Sequence, residues 1–174
     1  MAAGVMLALG PAAAWAASRA DLERDGRAAL DRLYAGTPKA AELGARARGV
    51  LIFPKIVKAG FMVGGHSGNG VLFVGGRAAG YYNISAGSFG LQAGAQTFSY
   101  ALFFMTEDAL AYLEKSKGWA IGAGPSVVVV DQGMAKTINT TTLKEAVYSM
   151  PFGQRGLMGG IGLEGSKITP IHPD

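Results

Sequence analysis

The chain has 174 residues, a length that fits one domain with a sizeable core, and its lack of cysteine excludes disulfides and zinc–thiolate centres. Its 27 glycines show no Gly-X-Y period, and the 49% apolar content is too high for a disordered chain. The formal charge is +4, and where that excess sits says more than its size.

Residues 1–17 carry no charge, and GVMLALGPAAAWA ends in the small-x-small pattern Ala14-Trp15-Ala16. This is the apolar part of a secretory leader, too short to span a membrane, so export is expected. A basic start to that leader would lie upstream of Met1. Residues 18–38 then form an N-terminal helical segment, with Leu22, Ala29, Leu30 and Leu33 at helical spacing and Gly36 as the stop. Arg19, Arg24, Arg27 and Arg32 are balanced there by Asp21, Glu23, Asp25 and Asp31, the pattern of a solvated face on a packed helix.

The main domain is expected over residues 39–174. Thr37-Pro38 opens a second helix that runs to about Arg48. From Lys39 to Lys58 the balance is lost: Lys39, Arg46, Arg48, Lys55 and Lys58 face only Glu42, a surplus equal to the net charge of the whole chain. Such a cluster attracts phosphate-bearing partners, or is simply a solvated face. Strands are expected over 50–53 and 59–65, separated by a proline bend, with Ser67-Gly68-Asn69-Gly70 as the hairpin turn into 71–74.

The stretch NISAGSFGLQAGAQTFSYALFFM, residues 83–105, alternates like a strand but is interrupted by Gly87, Gly90 and Gly94. Glycines repeated inside strands mark bulges, tight bends or the close approach of another backbone, so these three are assigned a structural role in sheet curvature. Tyr81, Tyr82, Phe98, Tyr100, Phe103 and Phe104 cluster around this stretch, and alternation does not place them all on one face. They pack in the core or form an apolar surface.

Thr106-Glu107-Asp108 caps a helix to about Lys117. Residues 120–130 read as one strand whose run of four valines is covered on both faces, turned back by Asp131-Gln132-Gly133. Residues 144–150 read as helix or strand equally, and 156–169 as a last strand before a tail containing Pro170 and Pro173. The fold class is α+β: a curved or barrel-like, mainly antiparallel, glycine-rich sheet with about three flanking helices.

Motifs for chemistry are scarce. His66 and His172 stand without carboxylates at ligand spacing, and no phosphate loop or dinucleotide fingerprint occurs, so no metal, cofactor or nucleic-acid partner is expected. Ala86-Gly87-Ser88-Phe89-Gly90 is a relaxed nucleophile elbow with Asp131 and His172 following in esterase order, but Ser88 lies in a segment that continues as strand. A non-enzymatic role is the expectation. The sequons at Asn83 and Asn139 would matter only in a eukaryotic secretory pathway.

Four blocks in order, ARARGVLIFPKIVKAGFMVGGHSGNGVLFV (45–74), GSFGLQAGAQ (87–96), residues 106–113 and RGLMGGIGLEGSKI (155–168), resemble the SYLF domain, a lipid-binding module. The resemblance implies binding to phosphoinositides or other anionic lipids and, in some eukaryotic members, actin binding. Together with the charge surplus, it points to an exported, periplasmic protein, peripheral to the membrane, that engages anionic headgroups through Lys39, Arg46, Arg48, Lys55 and Lys58. The alternative is an envelope protein presenting an aromatic surface to a protein partner or to itself.

Overall fold

The computed structural model describes residues 18–130, 144–156 and 165–174, with the backbone alone for 61–63, 88–94 and 154–156. The leader, the Asp131 turn, the Asn139 sequon and most of the last glycine block lie outside the described residues. In chain order the elements are α1 (Arg19–Gly36), α2 (Pro38–Arg46), β1 (Gly49–Val74), β2 (Arg77–Phe104), α3 (Glu107–Lys115), β3 (Trp119–Ala120), β4 (Val127–Val129), β5 (Val147–Gly156) and β6 (Lys167–Ile171).

The helices start where local chemistry directs. The Ser18 hydroxyl accepts from the Asp21 amide at 3.1 Å to cap α1, and the Thr106 hydroxyl accepts from the Ala109 amide at 3.1 Å to cap α3. Pro38 occupies the first turn of α2, where its missing N–H costs nothing. Among the described residues no helix is long and apolar enough to cross a membrane.

The sheet is mixed but mainly antiparallel. β2 is its spine, pairing β1 along one edge and both β5 and β6 along the other; β3 joins β6, and β4 joins β5 in the one parallel pair among the described strands. The expected hairpin turn at Ser67–Gly70 is corrected: those residues lie inside β1, and the turn is Gly75-Gly76, whose φ values of 60° and 80° suit a two-residue hairpin. The proline bend is a bulge rather than an end, with Pro54 and Lys55 opposite Ser99.

A strand of 26 residues is far longer than a domain of this size is wide. β1 therefore doubles back until its edge meets itself. The alpha carbons of Gly64, Gly68 and Gly70 lie against the carbonyls of Ala59, Lys55 and Ile52, and a methyl added at Gly68 would stand 2.6 Å from the Lys55 oxygen. Opposite this fold, Gly90, Leu91 and Gln92 face the single residue Met62, so Gly90 sits in a bulge. Gly94 pairs with Gly60 and Gly87 with Gly65.

Both faces of the curled sheet are covered. Leu51, Phe53, Leu72, Tyr100, Leu102 and Phe104 pack with Trp119 and with Leu110 and Leu113 of α3. On the other face, Val50, Ile52, Val71, Phe73 and Phe103 meet Ala29, Leu30 and Leu33 of α1 and Leu43 of α2. This settles the aromatic cluster: Tyr82, Phe98, Tyr100, Phe103 and Phe104 are all buried, and partly buried Tyr81 lies beneath Arg19, so these side chains are core. Alternation divided them between two faces, and each face is buried.

Two further expectations change. Residues 120–130 are not one strand, because positive φ at Gly122 and Gly124 breaks the chain between β3 and β4. The valines of β4 are unequally covered: Val127 packs against one core cluster and Val128 and Val130 against the other, while Val129 is 39% exposed. Of the ambiguous 144–150 segment, residues 147–150 open β5 and 144–146 belong to neither helix nor strand, and Pro170 belongs to β6, whose described residues begin at Lys167.

Candidate functional site

Two consecutive bulges shape the clearest cationic cleft. On one side of β2, Pro54 and Lys55 share the single partner Ser99; on the other, Gly153 and Gln154 share Phe98. Gly153 has φ +65°, which glycine adopts without strain. The Ser99 hydroxyl donates to the Pro54 carbonyl at 2.8 Å and holds the first bulge in place. The bulges bend both neighbouring strands at the same level. The result is a cleft of about 420 Å³ floored by Phe98 and Phe152.

Lys55 projects into this cleft from β1 and Arg32 from α1. Both are exposed, no acidic side chain lines the cleft, and neither cation makes an ion pair or hydrogen bond among the described residues. Two unpaired cations held near one concavity raise the local concentration of anions.

The other predicted cations are distributed elsewhere. Lys39 pairs with Glu42 at 3.4 Å on α2. Arg46 stays exposed in the last turn of that helix, where it complements the dipole. Arg48 enters a second cleft beside α1, with Glu107 at 3.9 Å. Lys58 is partly buried opposite Gln96 and stands close enough to His66 to help lower the imidazole pKa, although burial is the larger cause. Seven residues of strand, roughly 20 Å, separate Arg48 from Lys55, so the five do not form one patch.

Arg32 was missed because its helix is neutral overall. The signal was in the spacing: positions three and four away are Ala28, Ala29, Ala35 and Gly36, leaving Arg32 without an acid at the spacing where helix side chains pair. Arg27 by contrast has Glu23 and Asp31 at four residues.

The relaxed elbow does not form. Ser88 lies within β2 rather than at a strand-to-helix turn, and His172 is exposed in the tail. His66 instead bonds Ser166, with 2.9 Å between Nε2 and Oγ. No group of His, Asp and Glu among the described residues could hold a metal ion. Asn83 is held inside the hairpin, its amide donating to the Gly68 carbonyl at 3.1 Å and to Asn69 Oδ1 at 2.8 Å.

The family profile described as "Ysc84: Las17-binding protein actin regulator" matches residues 85–172, just over half of the chain. The chain belongs to the Ysc84 (SYLF) family. The Ysc84 match begins at Ser85 in β2 and takes in α3 and β3 to β6. It contributes Thr97, Phe98, Ser99, Phe152 and Gly153 to the cleft, whereas Arg32, Pro54 and Lys55 lie before the matched residues. No curated protein matches the chain.

Proposed function

We propose that this protein is a non-enzymatic module that binds anionic lipid headgroups at a membrane surface, with Arg32 and Lys55 as the principal contacts. The observation that carries the reading is the convergence of those two unpaired cations, 23 positions apart in sequence, on one cleft without an acidic lining. The family resemblance supports the lipid as ligand class. Arg46, exposed and without an ion pair among the described residues, adds long-range attraction, while Lys39 is committed to Glu42. The charge-free stretch over residues 1–17 supports export to a periplasmic or extracellular face, where the protein would be peripheral.

Vesicle flotation tests this directly. Anionic vesicles are expected to capture the protein and neutral ones are not, with binding lost as salt screens the contacts. Each cation contributes about 1 kcal/mol at the surface, so Arg32→Ala with Lys55→Ala should weaken binding roughly 30-fold. Equal capture by neutral and anionic vesicles would overturn the reading. The description of the family as an actin regulator favours a second reading, a protein partner; co-sedimentation with actin filaments that is unaffected by the double variant would select it.

A further inference from the structure

The second cleft, about 570 Å³, opens on the other flank of α1, between that helix, the end of α2 and the Gly75-Gly76 turn. Its charged groups are Arg27 and Asp31 from α1 and Arg48 from the link into β1, with the Tyr34 hydroxyl seated on Gly44 beside them. Arg27 and Asp31 are four residues apart, the spacing at which a helix ordinarily lets such a pair meet. Here they do not meet. Arg27 lies over the Phe73 ring, 4.6 Å from its centroid, and donates from Nη2 to the Gly76 carbonyl at 3.1 Å. Its guanidinium is thus pinned in orientation, with further N–H groups left over.

Asp31 is left exposed, with no ion pair or hydrogen bond among the described residues. Arg48 is 59% exposed and only loosely near Glu107, at 3.9 Å. The cleft is therefore lined by two arginines, the donors a tetrahedral oxyanion takes, and by a separate carboxylate whose backbone stands one helical turn, about 6 Å, along α1 from Arg27. Among the described residues no acid lines the Arg32–Lys55 cleft, so the two sites differ in the sign of their second contact.

We propose that this cleft binds an aminoalkyl phosphate, the chemistry shared by an ethanolamine phospholipid headgroup and a free phosphoethanolamine. The phosphate lies between Arg27 and Arg48, and the primary ammonium donates to Asp31. The terminal oxygens of a phosphate monoester can accept from both arginines at once, and an amine two carbons beyond the ester oxygen extends toward the next turn of α1. A quaternary ammonium has no N–H to donate, so the site discriminates against phosphocholine. The site stands apart from the anionic-surface reading, because none of its charged groups lines the Arg32–Lys55 cleft.

The test is calorimetric titration of the whole chain with phosphoethanolamine, phosphocholine, inorganic phosphate and ethanolamine. Saturable binding of phosphoethanolamine is expected, about tenfold tighter than any of the other three. Asp31→Asn should remove that preference while keeping the affinity for inorganic phosphate; Arg48→Ala should weaken both about tenfold. Lys55→Ala should change neither. Asp31 and Arg48 are exposed, and unchanged melting of both variants separates a binding loss from a folding loss. Absence of saturable phosphoethanolamine binding, or a preference that survives Asp31→Asn, would overturn the proposal. Vesicles in which ethanolamine lipid replaces choline lipid at fixed anionic content identify the source. A preference lost in Asp31→Asn points to the lipid, and no preference points to the free ester.

Discussion

Two glycine-rich stretches face each other across the β1–β2 hairpin, yet glycine does different work in each. In β1, a side chain at Gly64, Gly68 or Gly70 would strike the backbone of the same strand where it doubles back. In β2, among the described residues, a methyl at Gly87 meets nothing nearer than the Gly64 carbonyl oxygen at 4.0 Å. Neighbouring glycines of similar sequence texture thus carry unequal weight. What decides is whether another backbone occupies the space, and not the number of glycines in the segment.

The largest expected effect breaks the close approach. Gly70→Val drives a branched side chain into the Ile52 carbonyl and the Phe53 ring, and backbone on one side gives no room to relax. A loss of about 3 kcal/mol or more is expected by chemical denaturation, enough to unfold a marginal domain. Wild-type stability in this variant would show that β1 does not meet itself. Gly26→Val is intermediate. Its Cβ would stand 2.6 Å from Val71 Cγ1, a side chain that can shift, and about 1 to 3 kcal/mol should be lost as α1 is pushed off the sheet.

Smaller still is the pH effect at His66, whose pKa is lowered first by burial and then by the Lys58 charge. The folded state therefore favours the neutral ring. Stability is fully present above the unfolded histidine value of about 6.5 and declines as pH falls through that value towards the lower folded pKa. His66→Gln should flatten this slope in melting curves below neutral pH; an unchanged slope would place its origin in other groups. Gly87→Ala closes the series. With no close contact among the described residues around this strand position, it should shift stability by no more than about 0.5 kcal/mol, and upward if at all. A large loss there would erase the contrast between the strands.

The two clefts differ in a similar way. Each pairs a cation from α1 with one from the chain between α2 and the middle of β1. Among the described residues only the Arg27–Arg48 cleft includes an acid, and the Arg32–Lys55 cleft lies where bulges fall on both edges of β2 at one level. Arg32→Ala and Lys55→Ala should leave unfolding within about 0.5 kcal/mol of wild type, because both side chains are exposed and unpaired. A marked loss of stability in either would identify a structural contact in place of a binding one.

The sequence by itself determined the local chemistry: the cap at Thr106, Pro38 in a first turn, the apolar stripe of α1 and the alternation of β2, since each depends on residues within a turn or two of one another. It determined that Lys55 would be exposed and that glycine would permit close backbone approach. Tertiary structure decided the rest. Ser67–Gly70 has turn composition but lies within a strand, because Gly68 and Gly70 are needed where β1 passes its own carbonyls. The aromatics flanking Phe98 are core because two helices cover one sheet face and α3 with Trp119 the other. The cation cluster of residues 39–58 is a cluster only along the chain; a strand spends roughly 3.3 Å on each residue and carries Lys55 away from Arg48. Arg32, more than 20 positions earlier, is brought to Lys55 by the packing of α1, a distance no local pattern encodes.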